Sequence, residues 1–141
     1  MINVIFWSQT GNTEAMAEAI GKGITDAGKQ AVVKNVGNTK PDELKEAKAF
    51  ALGCPAMGDE VLEEDEMEPF VEEVCKFADG KTVLLFGSYG WGDGQWMRDW
   101  EERMTKAGAT VFDGKGLMAN DAPAPDILEE CQDLGKALAD L

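Results

Sequence analysis

The 141-residue sequence has no histidine and few basic side chains, with 13 lysines and arginines against 27 aspartates and glutamates. Without histidine, it lacks the commonest general base and metal ligand at neutral pH. Nucleic acids and anionic membranes would repel a chain whose formal net charge is −14, so we exclude both as partners. The acidic excess instead favours a protein that docks onto basic surfaces.

Cysteines and long apolar runs are also scarce. Cys54, Cys75 and Cys131 are odd in number and form no Cys-x-x-Cys pair, which predicts reduced thiols of a cytoplasmic protein rather than disulfides or a metal site. The N-terminus enters an apolar stretch with no basic region before it, and we expect neither a signal peptide nor a membrane anchor. The length and a hydrophobic fraction of 44% predict one domain over residues 1–141.

Apolar runs alternate with segments of helical periodicity along the chain. Strands are predicted over residues 2–7, 31–36, 47–53, 81–87 and 109–119, the last interrupted at Asp113 and Gly114. Helices are predicted over 12–27, 66–78, 95–106 and 126–141, with a short one over 41–46. This alternation predicts an α/β fold, a doubly wound five-stranded parallel sheet in three layers.

The loop between the first strand and the first helix has the composition of a phosphate site. Residues 8–13 read Ser-Gln-Thr-Gly-Asn-Thr, so hydroxyls, backbone N–H groups and the positive end of a helix dipole meet at one place. An ordinary N-capped turn is the alternative. The loop contains no lysine or arginine and is therefore not a Walker loop. Neutral donors suit a permanently bound cofactor monoester better than a nucleotide that is hydrolysed.

Two further loops are predicted at the same end of the sheet, over residues 54–60 and 88–94. Gly58 tolerates a left-handed backbone or a peptide rotation that other residues resist. Trp91 stands between Gly90 and Gly92, which favours presentation to a flat ligand or a partner over a ring folded back onto the surface. Met57 alone is more typical of a core position, but opposite Trp91 it would complete a slot for a planar aromatic ring.

These loops carry a family resemblance. Residues 7–14, 52–60 and 86–94 read Trp-Ser-Gln-Thr-Gly-Asn-Thr-Glu, Leu-Gly-Cys-Pro-Ala-Met-Gly-Asp-Glu and Phe-Gly-Ser-Tyr-Gly-Trp-Gly-Asp-Gly. Over its whole length the sequence resembles the short-chain flavodoxins of anaerobic, clostridial-type bacteria. The resemblance implies strand order 2-1-3-4-5 and a tightly but noncovalently bound FMN. Flavodoxin with FMN is itself a standard example of ligand placement where the winding of such a sheet reverses, so that placement is inherited from the family.

The resemblance also implies a role for each loop. Met57 would cover the inner face of the isoalloxazine, Trp91 would cover the outer face, and Glu60 would accept a hydrogen bond from flavin N3–H. The phosphate would be held by the first loop: Ser8, Gln9, Thr10, Gly11, Asn12 and Thr13. The remaining cofactor-binding positions are Pro55, Ala56, Gly58, Asp59, Ser88, Tyr89, Gly90, Gly92 and Asn120. Gln9 departs from the family, which usually has glycine there, and Phe6 replaces a common tyrosine.

The function implied is that of a low-potential, one-electron carrier shuttling FMN between semiquinone and hydroquinone. In similar flavodoxins the Gly58–Asp59 peptide rotates on reduction and the Gly58 carbonyl accepts from N5–H. We expect a cytoplasmic monomer without substrate turnover, whose partners are ferredoxin-type oxidoreductases with basic docking faces. An FMN-dependent quinone or NAD(P)H oxidoreductase of the same fold is the alternative. A signalling receiver domain is disfavoured because Trp7 and Gly53 occupy strand ends where acidic residues would be needed.

Overall fold

The computed structural model describes residues 1–141 as a parallel sheet between helices. The strands are β1 (Ile2–Phe6), β2 (Ala31–Asn35), β3 (Ala49–Gly53), β4 (Thr82–Tyr89), β5 (Thr110–Val111) and β6 (Leu117–Asn120). The helices are α1 (Asn12–Asp26), α2 (Met67–Cys75), α3 (Gln95–Lys106) and α4 (Pro125–Ala139). The strand order is β2-β1-β3-β4-β5, and β6 also pairs with β4. Both the doubly wound fold and the order 2-1-3-4-5 are confirmed.

The sheet is buried on both faces, because side chains alternate across each strand. On one face Ile5 and Leu52 join a 19-residue core cluster with α2 and α3. On the other face Val4 and Leu84 join a 15-residue cluster with α1 and α4. This double burial explains why the strands read as nearly continuous apolar runs rather than as alternating patterns.

Glycines allow α1 and α4 to approach each other closely. A Cβ at Gly23 would clash with the backbone oxygen of Gln132, and a Cβ at Gly135 would clash with that of Ile20. The helices therefore touch backbone to backbone at these positions. This contact fixes α1 behind β1, and with it the position of the loop at the N-terminus of α1.

Most predicted elements differ from the observed ones by one or two residues at an end, and three differences change the description of an element. Helix α2 ends at Cys75 rather than at 78, because the bonds Lys76 N→Glu73 O and Phe77 N→Val74 O tighten its last turn. The segment after Pro41 is a short 3₁₀ turn ending at Leu44. Strand β4 continues through Ser88 and Tyr89, which were wrongly assigned to a loop.

The interruption of the last strand is confirmed. β5 and β6 are separated by a 3₁₀ turn at Phe112–Gly114, in which Asp113 has φ 66°. β6 then pairs with the extended end of β4, with Ser88 opposite Ala119 and Tyr89 opposite Asn120. None of the helices combines the length and apolar character that crossing a membrane requires.

Candidate functional site

A cleft of about 200 Å³ opens at the carboxyl end of the sheet, where β1 has β2 on one side and β3 on the other. The loops after β1 and β3 and the end of β4 form its walls. Its lining residues are Ser8, Gln9, Thr10, Asn12, Thr13, Pro55, Ala56, Met57, Ser88, Tyr89, Gly90 and Asp121. All but Asp121 were predicted from the sequence.

The loop between β1 and α1 presents unpartnered backbone donors to this cleft. The amides of Gln9, Thr10, Asn12 and Thr13 donate to no acceptor within the chain. Gly11 precedes the helix at φ 94°, a left-handed conformation that glycine adopts without strain. Four free N–H groups at the positive end of a 15-residue helix form an anion site without any charged side chain.

The Ser8 hydroxyl accepts two hydrogen bonds within this loop and has its own proton free to donate to a ligand. Its Oγ accepts from Gly11 N at 3.2 Å and from Glu14 N at 3.3 Å. A serine hydroxyl has two acceptor lone pairs and one proton. Because both lone pairs are occupied, the O–H is left to donate to a group outside the chain.

A buried pair of hydroxyls fastens the loop to the sheet. Thr13 Oγ1 lies 3.1 Å from Ser88 Oγ and accepts from Ser88 N at 3.4 Å. The N–H of Ala56, in turn, donates to Ser88 O at 2.9 Å. Ser88 therefore ties all three loops together. The Thr13 hydroxyl is already engaged, so this residue acts first as an anchor of the loop.

A tight turn follows the second wall of the cleft. Met57 and Val61 exchange backbone hydrogen bonds of 2.9 and 3.0 Å around Gly58, Asp59 and Glu60. Gly58 has φ 44° and Glu60 has φ 59°, so two of the three intervening residues are left-handed. Gly58 and Asp59 are exposed and lie outside the cleft. The Gly58 peptide is thus free to reorient without displacing packed atoms.

Glu60 has a carboxylate that the protein itself leaves unsatisfied. Its Oε1 is buried without a hydrogen-bond partner and lies against Gly92, where a Cβ would clash with it. A buried polar atom without a partner is costly. The carboxylate therefore fits an N–H donor that arrives from outside the chain, and Gly92 makes the space for it.

Trp91 and Met57 lie on different parts of the site. Met57 lines the cleft and is half-buried. Trp91 is 65% exposed, next to Gly90 at the rim, and does not line the cleft. The indole is thus exposed beside the cleft rather than packed in the core, as its position between two glycines predicted.

Asp121 is the lining residue that the sequence analysis missed. Its N–H donates to Tyr89 O at 2.8 Å, its φ is 58°, and its carboxylate faces Gly90. Asn120, which was predicted to contact the ligand, is exposed and does not line the cleft. The Asn-Asp pair at the end of a strand was the available signal, since aspartate tolerates the left-handed turn conformation.

Two acidic residues near the turn have structural roles. Glu63 is buried and accepts from the amides of Asp65, Glu66 and Met67 at 2.7–3.0 Å. Its burial would raise its pKa, but these three hydrogen bonds outweigh burial and lower it. Glu68 forms a two-pronged ion pair with Arg103 at 2.6 and 2.7 Å.

Cys54 is not a reactive group in this site. Its side chain is fully buried, and burial raises the pKa of the thiol to about 12. The thiol accepts from Glu63 N at 3.4 Å. Cys54 therefore packs the base of the second loop and supplies no nucleophile.

Comparison with known proteins identifies the family. The sequence model of the flavodoxin family matches residues 4–135. The chain is 50% identical to the flavodoxin of Clostridium beijerinckii over 141 residues, 99% of this chain and 100% of that protein. The chain belongs to the flavodoxin family. Members of this family are FMN-binding electron carriers with redox partners.

Other flavodoxins agree over the full length. That of Megasphaera elsdenii is 42% identical, covering 99% of this chain and 98% of its own. Its solution structure in the two-electron reduced state superposes with a TM-score of 0.88 over all of both chains. An archaeal flavodoxin superposes with a TM-score of 0.87 at 35% identity, over 99% and 96% of the two chains. The unpartnered amides of the loop between β1 and α1 and the unsatisfied Glu60 carboxylate fit the FMN that the family binds.

Proposed function

We propose that this single-domain flavodoxin is a low-potential, one-electron carrier that holds FMN noncovalently in the cleft. The proposal rests on the loop between β1 and α1, residues 8–13, which we call the phosphate loop. In it, unpartnered amides and hydroxyls meet at a helix N-terminus with no positive side chain. When bound, FMN supplies the one-electron chemistry. The protein binds it, orients it and sets the electrostatics around it.

The first loop would hold the phosphate by neutral donors. The amides of Thr10, Asn12 and Thr13 and the Ser8 hydroxyl are the candidates, and Gly11 provides the turn that gathers them. Gln9 is exposed and lines the cleft, so its amide side chain is an additional donor rather than an obstacle. Hydrogen bonds to a charged acceptor are worth about 1.5–3 kcal/mol each, which supports tight binding without covalent attachment.

The second and third loops would hold the flavin ring. Met57 offers a polarisable side chain inside the cleft, while Trp91, exposed at the rim, would cover the other face. Glu60 would accept a hydrogen bond from N3–H, because its carboxylate has no other donor in the chain. Pro55 and Ala56 would pack along the ribityl chain, and backbone groups at Gly90 would approach the pyrimidine edge.

The Gly58–Asp59 peptide would change its orientation when flavin N5 becomes protonated. Its exposed peptide has open space around it, and glycine keeps both orientations of the Gly58–Asp59 peptide accessible. In the rotated orientation the Gly58 carbonyl would accept from N5–H. One such hydrogen bond contributes about 1 kcal/mol net, which favours the first one-electron step.

The carboxylates near the turn would lower the potential of the second step. Asp59, Glu64, Asp65 and Glu66 are exposed, whereas Glu63 and Glu68 are engaged within the fold. A unit charge about 10 Å away disfavours added negative charge by roughly 0.4–0.8 kcal/mol at an effective dielectric of about 80–40. Each would thus lower a one-electron potential by roughly 20–35 mV.

The partners we propose are oxidoreductases of the ferredoxin-dependent type with basic docking faces. We propose that this protein acts on them as a cytoplasmic monomer. The net charge of −14 and the exposed carboxylates of Asp59, Glu64, Asp65 and Glu66 support electrostatic steering toward such faces. A flavodoxin-fold quinone or NAD(P)H oxidoreductase is disfavoured, since the relatives matched over the full length of the chain are flavodoxins. We therefore propose no substrate turnover by the protein itself.

Electron delivery to a ferredoxin-dependent reductase, measured by stopped flow, tests this proposal. The photoreduced, FMN-loaded protein should transfer one electron per encounter, with a second-order rate that falls steeply as salt is raised. Added NADH should leave the flavin oxidised. Rapid oxidation of NADH would support the enzyme instead, and a rate independent of salt would contradict steering by the acidic surface.

A further inference from the structure

The loop between β4 and α3, residues 90–94, which we call the Trp91 loop, has almost no hydrogen bonds of its own. Gly90, Gly92 and Gly94 are three of its five residues, and the last two have φ of 87° and 95°. None of its five amides donates to a backbone oxygen. Because glycine loses more conformational freedom on ordering than any other residue, the conformation of the Trp91 loop depends on contacts made to it by other residues.

Arg98 of α3 supplies the hydrogen bonds that hold this loop. Its Nη1 donates to Asp93 O at 3.0 Å, and its Nη2 donates to the Asp93 carboxylate at 2.9 Å. These are the only hydrogen bonds that residues 90–93 accept. Nη2 also donates to Gln95 Oε1 at 2.9 Å. The guanidinium therefore joins the end of the loop to the first turn of α3, through a main-chain oxygen as well as through side chains.

Two features distinguish this contact from an ordinary exposed ion pair, which usually contributes little. The planar guanidinium reaches two acceptors of one residue, Asp93, and a lysine ammonium cannot reproduce that fork. Arg98 also lies one turn into α3, near the positive end of the helix dipole, where a cation is unfavourable. The stability of α3 therefore does not explain its position, whereas the acceptors on the loop do.

We propose that Arg98 is a positioning residue for Trp91, which orders the Trp91 loop before FMN binds. Trp91 is two residues from Asp93 and is 65% exposed, so the core does not hold its indole. A loop that is already ordered reduces the entropy cost of binding. Arg98 does not line the cleft and would act through the loop alone. The inference rests on the proposed role of Trp91 as the cover of the outer flavin face.

A double-mutant cycle in FMN binding tests this coupling. Arg98→Gln should weaken binding about fivefold, the factor equivalent to one hydrogen bond of ordinary net strength. In the Trp91→Ala background the same change should have no further effect, because the indole that Arg98 positions is gone. Arg98→Lys keeps the charge but loses the fork, and it should weaken binding as Arg98→Gln does. Lys106→Gln removes a positive charge that pairs with Glu102 near the other end of α3. It is the matched control and should leave binding unchanged.

The order of the loop gives a readout that does not depend on FMN. In the ¹⁵N-labelled full chain before FMN is added, Arg98→Gln should lower the heteronuclear NOE of the Trp91 amide and leave that of Trp96 unchanged. An unchanged NOE at Trp91, equal losses of FMN binding in both backgrounds, or full binding by Arg98→Lys would overturn the inference. If Trp91→Ala alone left FMN binding unchanged while the NOE still fell in Arg98→Gln, the proposed role of Trp91 would be wrong, and the ordering of the loop by Arg98 would stand.

Discussion

Replacing Ser8 with alanine isolates the interaction between the protein and the FMN phosphate. The Ser8 hydroxyl accepts two hydrogen bonds from within the loop and retains one proton, which we assign to the phosphate. Loss of one hydrogen bond to a charged group is worth about 1.5–3 kcal/mol. FMN binding should therefore weaken by about 10- to 150-fold.

Riboflavin separates this effect from a general disturbance of the cleft, because it has the same ring and ribityl chain but no phosphate. The two loop hydrogen bonds at 3.2 and 3.3 Å are long and lie in the part of the cleft assigned to the phosphate, so riboflavin binding should change little. Titration of the apoprotein followed by quenching of flavin fluorescence gives both dissociation constants. Thr25→Ala, an exposed position on α1, is the control and should change neither.

The ratio of the two losses decides the outcome. The account requires a loss for FMN at least several times larger than the loss for riboflavin. Equal losses would mean that Ser8 affects the cleft as a whole and makes no specific contact with the phosphate. No loss for either ligand would place the phosphate away from the N-terminus of α1 and would refute the assignment of the cleft.

Three other changes have defined outcomes. Gly58→Ala should lower the potential of the first one-electron step by roughly 40 mV, the equivalent of one hydrogen bond, in a spectroelectrochemical titration; an unchanged potential would contradict the peptide rotation. Glu63→Gln should lower the free energy of unfolding by about 1–2 kcal/mol at neutral pH, because three backbone amides lose their carboxylate acceptor. The folded-state pKa of Glu63 is lowered, so this stabilisation is fully present above the ordinary glutamate pKa of about 4.3 and is lost as pH falls through the lower folded-state pKa. Urea unfolding of the two proteins should therefore converge progressively as pH falls below about 4.3. Cys54 should resist thiol reagents at pH 8 in the native protein, since its pKa of about 12 leaves almost no thiolate; rapid labelling of the folded protein would show that the site opens.

The sheet was predictable because its strands are buried on both faces and read as unbroken apolar runs. The end of β4, in contrast, could not be predicted from the sequence. Ser88 and Tyr89 stand in a stretch rich in glycine, but they pair with β6 about thirty residues later, and local sequence carries little information about such distant pairing. The early end of α2 was equally hidden, because the apolar periodicity continues through Phe77 while the backbone hydrogen bonds of Lys76 and Phe77 already form a tighter turn.

The site was predicted mainly from its three loops. Their hydroxyl-, amide- and glycine-rich sequences are unusual in ordinary turns, and they carry the family resemblance. The role of Thr13 as an anchor depends on its contact with Ser88, which is invisible without the fold. Asp121 was missed because its place in the cleft follows from the register of β6.

Anaerobic reductive titration of the FMN-loaded protein tests the central claim most directly. The account predicts one flavin bound per chain and two well-separated one-electron steps, the second at low potential. A chain that remains colourless after incubation with FMN, or a bound flavin that takes up two electrons in a single step, would contradict it.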